Sequence, residues 1–166
     1  MEFQLKSLSR EAIPEALEKA HRYRLLNEPW QAESICMDIL RVDPANQSAQ
    51  ITLLLAITDQ FGSEVPVSRA REVLRGMQGE YERAYYAGII CERSARVRMK
   101  QSVPGSNDMA YREFMQAMEW YEAAEAHRPQ GNDDAILRWN TCARTLLSHK
   151  ELRPALEERM EAVIGE

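Results

Sequence analysis

The chain has 166 residues, of which 45% are hydrophobic and 28% are charged. This length and composition are typical of one folded globular domain and exclude a fibrous or extensively disordered protein. The formal net charge of -5 disfavours general binding to nucleic-acid backbones or anionic lipid, because both attract basic surfaces.

Neither disulfides, nor a signal peptide, nor a membrane span is predicted. The cysteines, Cys36, Cys91 and Cys142, lie far apart and form no CxxC pair, so we expect free thiols that fill helix interfaces. The N-terminus lacks the basic stretch and apolar run of a signal peptide. The longest apolar stretch, residues 53–57, is too short to cross a bilayer. We therefore expect a cytoplasmic protein with no membrane partner.

Apolar residues recur at steps of three and four along almost the whole chain, which predicts helices and no sheet. Asparagine and proline at Asn27–Pro29 and at Asp43–Asn46 separate the first three helices. The predicted helices lie near residues 14–27, 30–42, 48–60, 66–78, 80–100, 108–127, 132–148 and 154–164.

One spacing recurs in the second helix of successive pairs. Counted from the first residue of each set, apolar residues stand at offsets zero, four and seven. Two of the three sets also have a proline at offset twelve. The sets are Ala32, Cys36, Ile39 and Pro44; Ala117, Tyr121, Ala124 and Pro129; and Ala70, Leu74 and Met77. Small residues let the two helices of a hairpin approach closely, so Ala32, Ala117 and Ala124 are predicted to be buried.

This pattern resembles the tetratricopeptide repeat. Residues 13–46 are similar to one unit, with Tyr23, Ala32 and Pro44 at signature positions, and Ala87–Gly88 stands at the Leu-Gly position of another. The resemblance covers nearly the whole chain, in units at residues 13–46, 47–79, 80–131 and 132–166. It implies an all-α fold: a right-handed superhelix of about four antiparallel hairpins in a single domain, residues 1–166.

The sequence departs from the family pattern in two places. In the first unit, Ala16 and Lys19 stand where the family prefers tryptophan and leucine, and Asn27 stands where it prefers glycine. The third unit carries about seventeen extra residues between Gly88 and Ala117. Both flanks of this insertion are helical in pattern, and residues 103–107 form a turn. The third hairpin is therefore predicted to be elongated, projecting by about 12 Å.

No residues point to catalysis, a metal or a cofactor. His21, His127 and His149 have no ligand partner at helical spacing, and no glycine loop or activated nucleophile is present. His127 is expected at a helix C-terminus, and Asp133–Asp134 at a helix N-terminus. The sequence therefore predicts that the protein is not an enzyme.

The family resemblance implies a partner-binding wall, because positions 2, 5, 9, 12 and 13 of each first helix line the groove of such proteins. The wall carried over to this chain comprises Leu17, His21, Arg24, Ile51, Leu55, Tyr85, Ile89, Arg93, Ile136, Asn140 and Arg144, flanked by Leu25, Thr58, Asp59, Glu92 and Ala143.

This predicted wall is apolar at its centre and has three arginines, Arg24, Arg93 and Arg144, toward one edge. We expect it to bind an apolar helix or extended segment with nearby acidic residues. The alternative occupants are the chain's own C-terminal helix and a second copy of the protein. The family's clamp for C-terminal carboxylates requires lysine and asparagine where Leu17 and His21 stand, which disfavours that ligand.

A second surface is predicted on the elongated hairpin, where basic residues alternate with apolar ones. This basic patch consists of Arg96, Arg98, Lys100 and Arg112. It is either a solvated helix pair whose arginine stems cover apolar neighbours, or a docking prong for an acidic partner. The predicted function is a protein-interaction module or adaptor. The alternatives are a secretion-type chaperone and a regulatory or nucleic-acid-associated module that uses this patch.

Overall fold

A short 3-10 helix and seven α-helices form the secondary structure of residues 1–154, the part of the chain that the computed structural model describes. The 3-10 helix spans Arg10–Ala12. The α-helices are α1 (Ile13–Leu25), α2 (Pro29–Val42), α3 (Gln47–Thr58), α4 (Val67–Arg75), α5 (Glu80–Met99), α6 (Ser106–Ala126) and α7 (Asp134–Ser148).

The predicted all-α class is confirmed over these residues. The described range contains no strand; Phe61 makes isolated β-bridges to Ser63 and Glu64, which close one tight turn. All seven helices predicted before residue 154 are present, and their ends lie within three residues of the predicted ones. The helix predicted at 154–164 lies outside the described residues.

The chain divides into two compact units, Met1–Gln78 and Gly79–Glu166. In the first unit α1 packs on α2, α2 on α3 and α3 on α4, and α1 also contacts α3. In the second unit α5 packs on α6, and α6 on α7. The division falls between the second and third units predicted from the sequence, and the single domain over residues 1–166 stays a prediction.

The turn between α1 and α2 shows how the first unit accommodates its departure from the family pattern. Asn27 adopts a positive φ of 60°, the left-handed conformation that glycine adopts without strain. Among the other residues, asparagine is one of those that tolerate it best. The asparagine therefore performs the local task for which the family uses glycine.

Small side chains form the helix contacts in both units. Ala32, Ala117 and Ala124 have no exposed surface, so the burial predicted for them is confirmed. Cys36 and Cys142 are equally buried and are free thiols, as predicted. Cys91 is half-buried.

The hairpin of α5 and α6 is built from the longest helices of the described residues, with 20 and 21 residues. Each helix is thus about 30 Å long. Gly105, with a φ of +83°, makes the turn between them. The turn predicted at 103–107 is shorter in the structure, because α6 already begins at Ser106. The Ser106 hydroxyl donates a hydrogen bond to the carbonyl oxygen of Gln101 at 3.0 Å.

Gly88 on α5 lies against the ring of Tyr121 on α6. A Cβ atom at position 88 would lie 2.5 Å from Tyr121 Cε1 and 2.7 Å from Cδ1, closer than carbon atoms can approach. Tyr121 is fully buried, so its ring has little room to move away. The two helices can be this close only because residue 88 has no side chain.

We predict that Gly88→Ala lowers the free energy of unfolding by about 1–3 kcal/mol, because the added methyl group overpacks the α5–α6 contact. Equilibrium urea unfolding followed by circular dichroism measures this change. The matched control is Gly76→Ala, where the nearest atom to the new Cβ, the Val73 carbonyl oxygen, lies at an ordinary 3.5 Å. The control should leave stability unchanged or raise it by up to about 1 kcal/mol. Equal effects of the two substitutions would contradict the close contact at Gly88.

Candidate functional site

A buried carboxylate, Glu92 on α5, joins the helices α5, α6 and α7. Its side chain is only 1% exposed. Oε2 accepts a hydrogen bond from the Tyr121 hydroxyl at 2.6 Å, and Oε1 accepts from Arg96 Nε and Nη2 at 3.2 and 3.0 Å. Arg138 Nη1, on α7, lies 3.7 Å from the same Oε1 atom. The negative charge of Glu92 thus lies beside two arginines and accepts a hydrogen bond from a tyrosine. A buried carboxylate requires such partners.

The neighbours of Glu92 are kept in their neutral forms. Burial, followed by the negative charge of Glu92, raises the pKa of Tyr121 well above its usual range. The same causes raise the pKa of Cys142 to about 12. Burial also raises the pKa of Cys36, in the first unit, to about 12. Because the thiolate is the reactive form of cysteine, neither buried thiol is a nucleophile at neutral pH.

Three tyrosines on α5 form a connected aromatic row beside this network. The rings of Tyr81 and Tyr85 stack with centroids 5.6 Å apart, and Tyr86 meets Tyr85 edge-on at 5.0 Å. Tyr85 also contacts the buried ring of Tyr121, with centroids 5.9 Å apart. Tyr85 is half-buried, so one part of its ring is fixed by neighbours and another part faces solvent.

Arg138 connects this aromatic row to α7. Burial alone would lower its pKa, but a hydrogen bond with Tyr85 and the charge of Glu92 outweigh that effect, and the pKa is raised. Arg138 therefore stays charged and is held between two helices. We use the name α5–α7 face for three half-buried side chains of these two helices: Tyr81 and Tyr85 on α5 and Arg138 on α7.

In the first unit, the predicted wall residues have different exposures. Leu17, Ile51 and Leu55 are half-buried, and His21 is exposed. Arg24 was expected to orient an acidic partner, but it donates to Asp59 through Nε at 2.7 Å and Nη2 at 3.2 Å. That ion pair joins α1 to α3, and the role expected of Arg24 toward a partner stays a prediction.

In the second unit, Tyr85, Ile136 and Asn140 are half-buried, and Arg144 is exposed. Arg93 is half-buried on α5. Ile89 is only 1% exposed, so it is a core residue with almost no surface to offer a partner. Glu92, expected at the edge of the wall, is likewise buried. The sequence does contain a sign of this pairing. Glu92 follows the apolar residues 87–91 and stands four positions before Arg96, a spacing at which a glutamate and an arginine on one helix can pair.

The basic patch on the long hairpin is largely neutralised by carboxylates of the same hairpin. Arg96 pairs with Glu92 at 3.0 Å, and its guanidinium lies 5.6 Å above the centre of the Phe114 ring. Further ion pairs join Arg98 to Glu113 at 2.9 Å and Arg112 to Asp108 at 3.0 Å, while Lys100 is exposed. These contacts favour the solvated helix pair over a prong with unpaired positive charge.

A cleft between α6 and α7 is a feature that the sequence did not predict. Its volume is about 290 Å³, and it is lined by Glu122, Glu125, Ile136, Trp139 and Asn140. The indole Nε1 of Trp139 donates to Glu122 Oε1 at 3.0 Å. Ile136 and Asn140 each stand two residues from Arg138 along α7, so they lie on a different side of that helix from the α5–α7 face. The α6 carboxylates were missed because only the first helix of each hairpin was expected to line a groove.

Within residues 1–154, no group of three or more histidine, cysteine, aspartate or glutamate side chains is arranged to hold a metal ion. None of the helices in this range has both the length and the apolar character needed to cross a membrane.

Comparison with protein-family models, with curated proteins and with solved structures gives no significant match to this chain.

We predict that the stability of the protein falls as the pH rises above about 10. The unfolded state then releases the Tyr121 proton at its ordinary pKa, whereas the folded state, with its raised pKa, retains it. This one group contributes a slope of up to about 1.4 kcal/mol per pH unit. Tyr121→Phe should therefore make the dependence of unfolding free energy on pH shallower, as measured by urea unfolding between pH 7 and 11.

The matched control for this measurement is Tyr111→Phe, which removes a half-buried phenol from the same helix. It should retain the wild-type slope. A slope that Tyr121→Phe leaves unchanged would show that the folded protein does not hold Tyr121 in its neutral form.

Proposed function

We propose that this protein is a tetratricopeptide-type helical repeat protein, its hairpins stacked in that family's right-handed sense, and that it binds another polypeptide without catalysis. The binding surface that we propose is the α5–α7 face of the second unit. The observation that carries the proposal is the contact between Tyr85 and Arg138 at its centre, beside the stacked ring of Tyr81.

Three features support the repeat assignment. In each unit, a pair of helices is followed by a helix that packs on its second member. In both units the third helix also reaches the first, through Arg24 and Asp59 in one and through Arg138 and Glu92 in the other. Gly88 allows the close contact that its family position requires.

The α5–α7 face has the properties of a protein-binding surface. Tyrosine and arginine are enriched among the residues that dominate binding energies. Tyr85 contacts two tyrosines of its own helix and the buried Tyr121, so little side-chain freedom remains to be lost on binding. The aromatic anchors Tyr81 and Tyr85 would supply most of the affinity, and Arg138 would fix the orientation of the bound segment.

We predict that Tyr81→Ala combined with Tyr85→Ala weakens binding of the partner by at least tenfold, about 1.4 kcal/mol, while helical content is retained. Ile89 is left unchanged because its truncation would disturb the core. Proteins from the native host that bind the wild-type chain are identified by mass spectrometry. The purified partner is then titrated against each variant by calorimetry.

The matched control is Trp120→Ala, which removes an exposed aromatic side chain from α6, outside the face. This variant should bind the partner with wild-type affinity. Binding that survives the double substitution would end the proposal for this face. A wild-type dimer that the double substitution converts to a monomer, measured by light scattering, would instead show that the face joins two copies of the chain.

A further inference from the structure

Residues 1–6 have the residue pattern of a β-strand, although they belong to no helix or strand of the structure. Apolar and polar side chains alternate along them, in the order Met1, Glu2, Phe3, Gln4, Leu5 and Lys6. Such alternation gives an extended segment one apolar side and one polar side. The three apolar side chains are each at least 70% exposed, so the chain leaves this apolar side largely uncovered.

The backbone of this segment has hydrogen-bonding groups that the described part of the chain does not use. Within residues 1–154, no N–H or C=O group of residues 1–8 forms a hydrogen bond with another backbone group. Ser9, which follows, has extended backbone angles, a φ of -76° and a ψ of 146°. An extended segment with unpaired N–H and C=O groups is a template for a strand of another chain.

The segment lies beside a cleft of about 390 Å³ on α2, which Leu5 lines together with Met37 and Leu40. The other lining side chains, Ser34, Asp38 and Arg41, are polar. Met37 is 50% exposed, so α2 offers apolar surface next to the segment. A ribbon of two strands is marginally stable alone, but packing of its apolar side against a helix stabilises it.

The charges of the segment favour a second copy of this chain as the other strand. When two copies pair antiparallel about a two-fold axis at Gln4, Glu2 of each copy lies opposite Lys6 of the other. Phe3 then lies opposite Leu5, and the apolar residues of both copies share one face. Within one extended copy, Glu2 and Lys6 are about 13 Å apart, too far for an ion pair. Parallel pairing would set like charges side by side, and an antiparallel shift by two residues would separate both ion pairs.

We infer that two copies of this chain associate through residues 1–6, which form a two-stranded antiparallel ribbon packed on α2 of each copy. This association is independent of the polypeptide binding proposed for the α5–α7 face. A ribbon with six residues in each strand is smaller than a standard protein interface of about 1,600 Å². The dimer is therefore weak, with a Kd roughly in the micromolar range.

Charge reversal tests the register in the full chain, with sedimentation equilibrium measuring the Kd of the dimer between about 1 μM and 1 mM. Glu2→Lys alone, or Lys6→Glu alone, sets like charges opposite each other twice in the dimer. Each should weaken dimerisation by at least about tenfold. The two reversals change the net charge in opposite directions, so general repulsion between copies cannot explain a loss in both.

An equimolar mixture of Glu2→Lys and Lys6→Glu should form a mixed dimer with the wild-type Kd, because each opposing pair then has opposite charges. The chain that carries both substitutions should dimerise like the wild type for the same reason. The matched control is Glu18→Lys, which makes the same charge change at an exposed position of α1, outside the segment, and should retain the wild-type Kd. Circular dichroism of each variant checks that the helices are intact.

A chain that stays monomeric up to about 1 mM would overturn the inference. So would a dimer that the single reversals leave unchanged, or one that neither the mixture nor the doubly reversed chain restores. A dimer that Tyr81→Ala with Tyr85→Ala dissociates would place the contact on the α5–α7 face and likewise overturn the inference. If the inference is correct, that variant still dimerises, whether or not it binds the partner sought under the proposed function.

Discussion

The buried carboxylate of Glu92 controls the geometry of the second unit, because a charge at this depth is tolerated only where it is fully paired. Tyr121 from α6, Arg96 from its own helix and Arg138 from α7 all converge on it. Tyr121 fixes α6 and Arg138 fixes α7 relative to α5, while Arg96 pairs with the charge from the same helix. Arg138 in turn fixes Tyr85. The rigidity of the proposed binding surface therefore depends on the buried charge of Glu92, which a bound polypeptide would not contact.

This arrangement is possible only because α5 and α6 are very close. Gly88 brings the Tyr121 ring against the α5 backbone, one turn before Glu92, and this places the phenol oxygen within 2.6 Å of the carboxylate. The alanines Ala117 and Ala124 on either side of Tyr121 are fully buried for the same reason. The polar network therefore depends on the close packing, since the hydrogen bond forms only at this short helix separation.

The sequence predicted the helices and the buried alanines because periodicity and residue size are local properties. It did not predict which members of an apolar row stay accessible. Ile89 and Tyr85 are four residues apart on one helix, yet the first is buried and the second half-exposed, because the covering side chains come from elsewhere in the chain. The pairing of Arg24 with Asp59, across 35 residues, was equally invisible to helical spacing. The cleft acids on α6 were missed because family positions direct attention to first helices alone.

The same distinction applies to the charge that a surface offers. Counting residues gives a wall edged by arginines, which favours an acidic ligand. In the structure, Arg24 is paired with Asp59, whereas Arg144 is exposed. Long-range attraction depends on charge that remains uncompensated at the surface, and the number of charged residues does not determine it. Arginines that the sequence counts alike therefore differ in the attraction that they can exert on a partner.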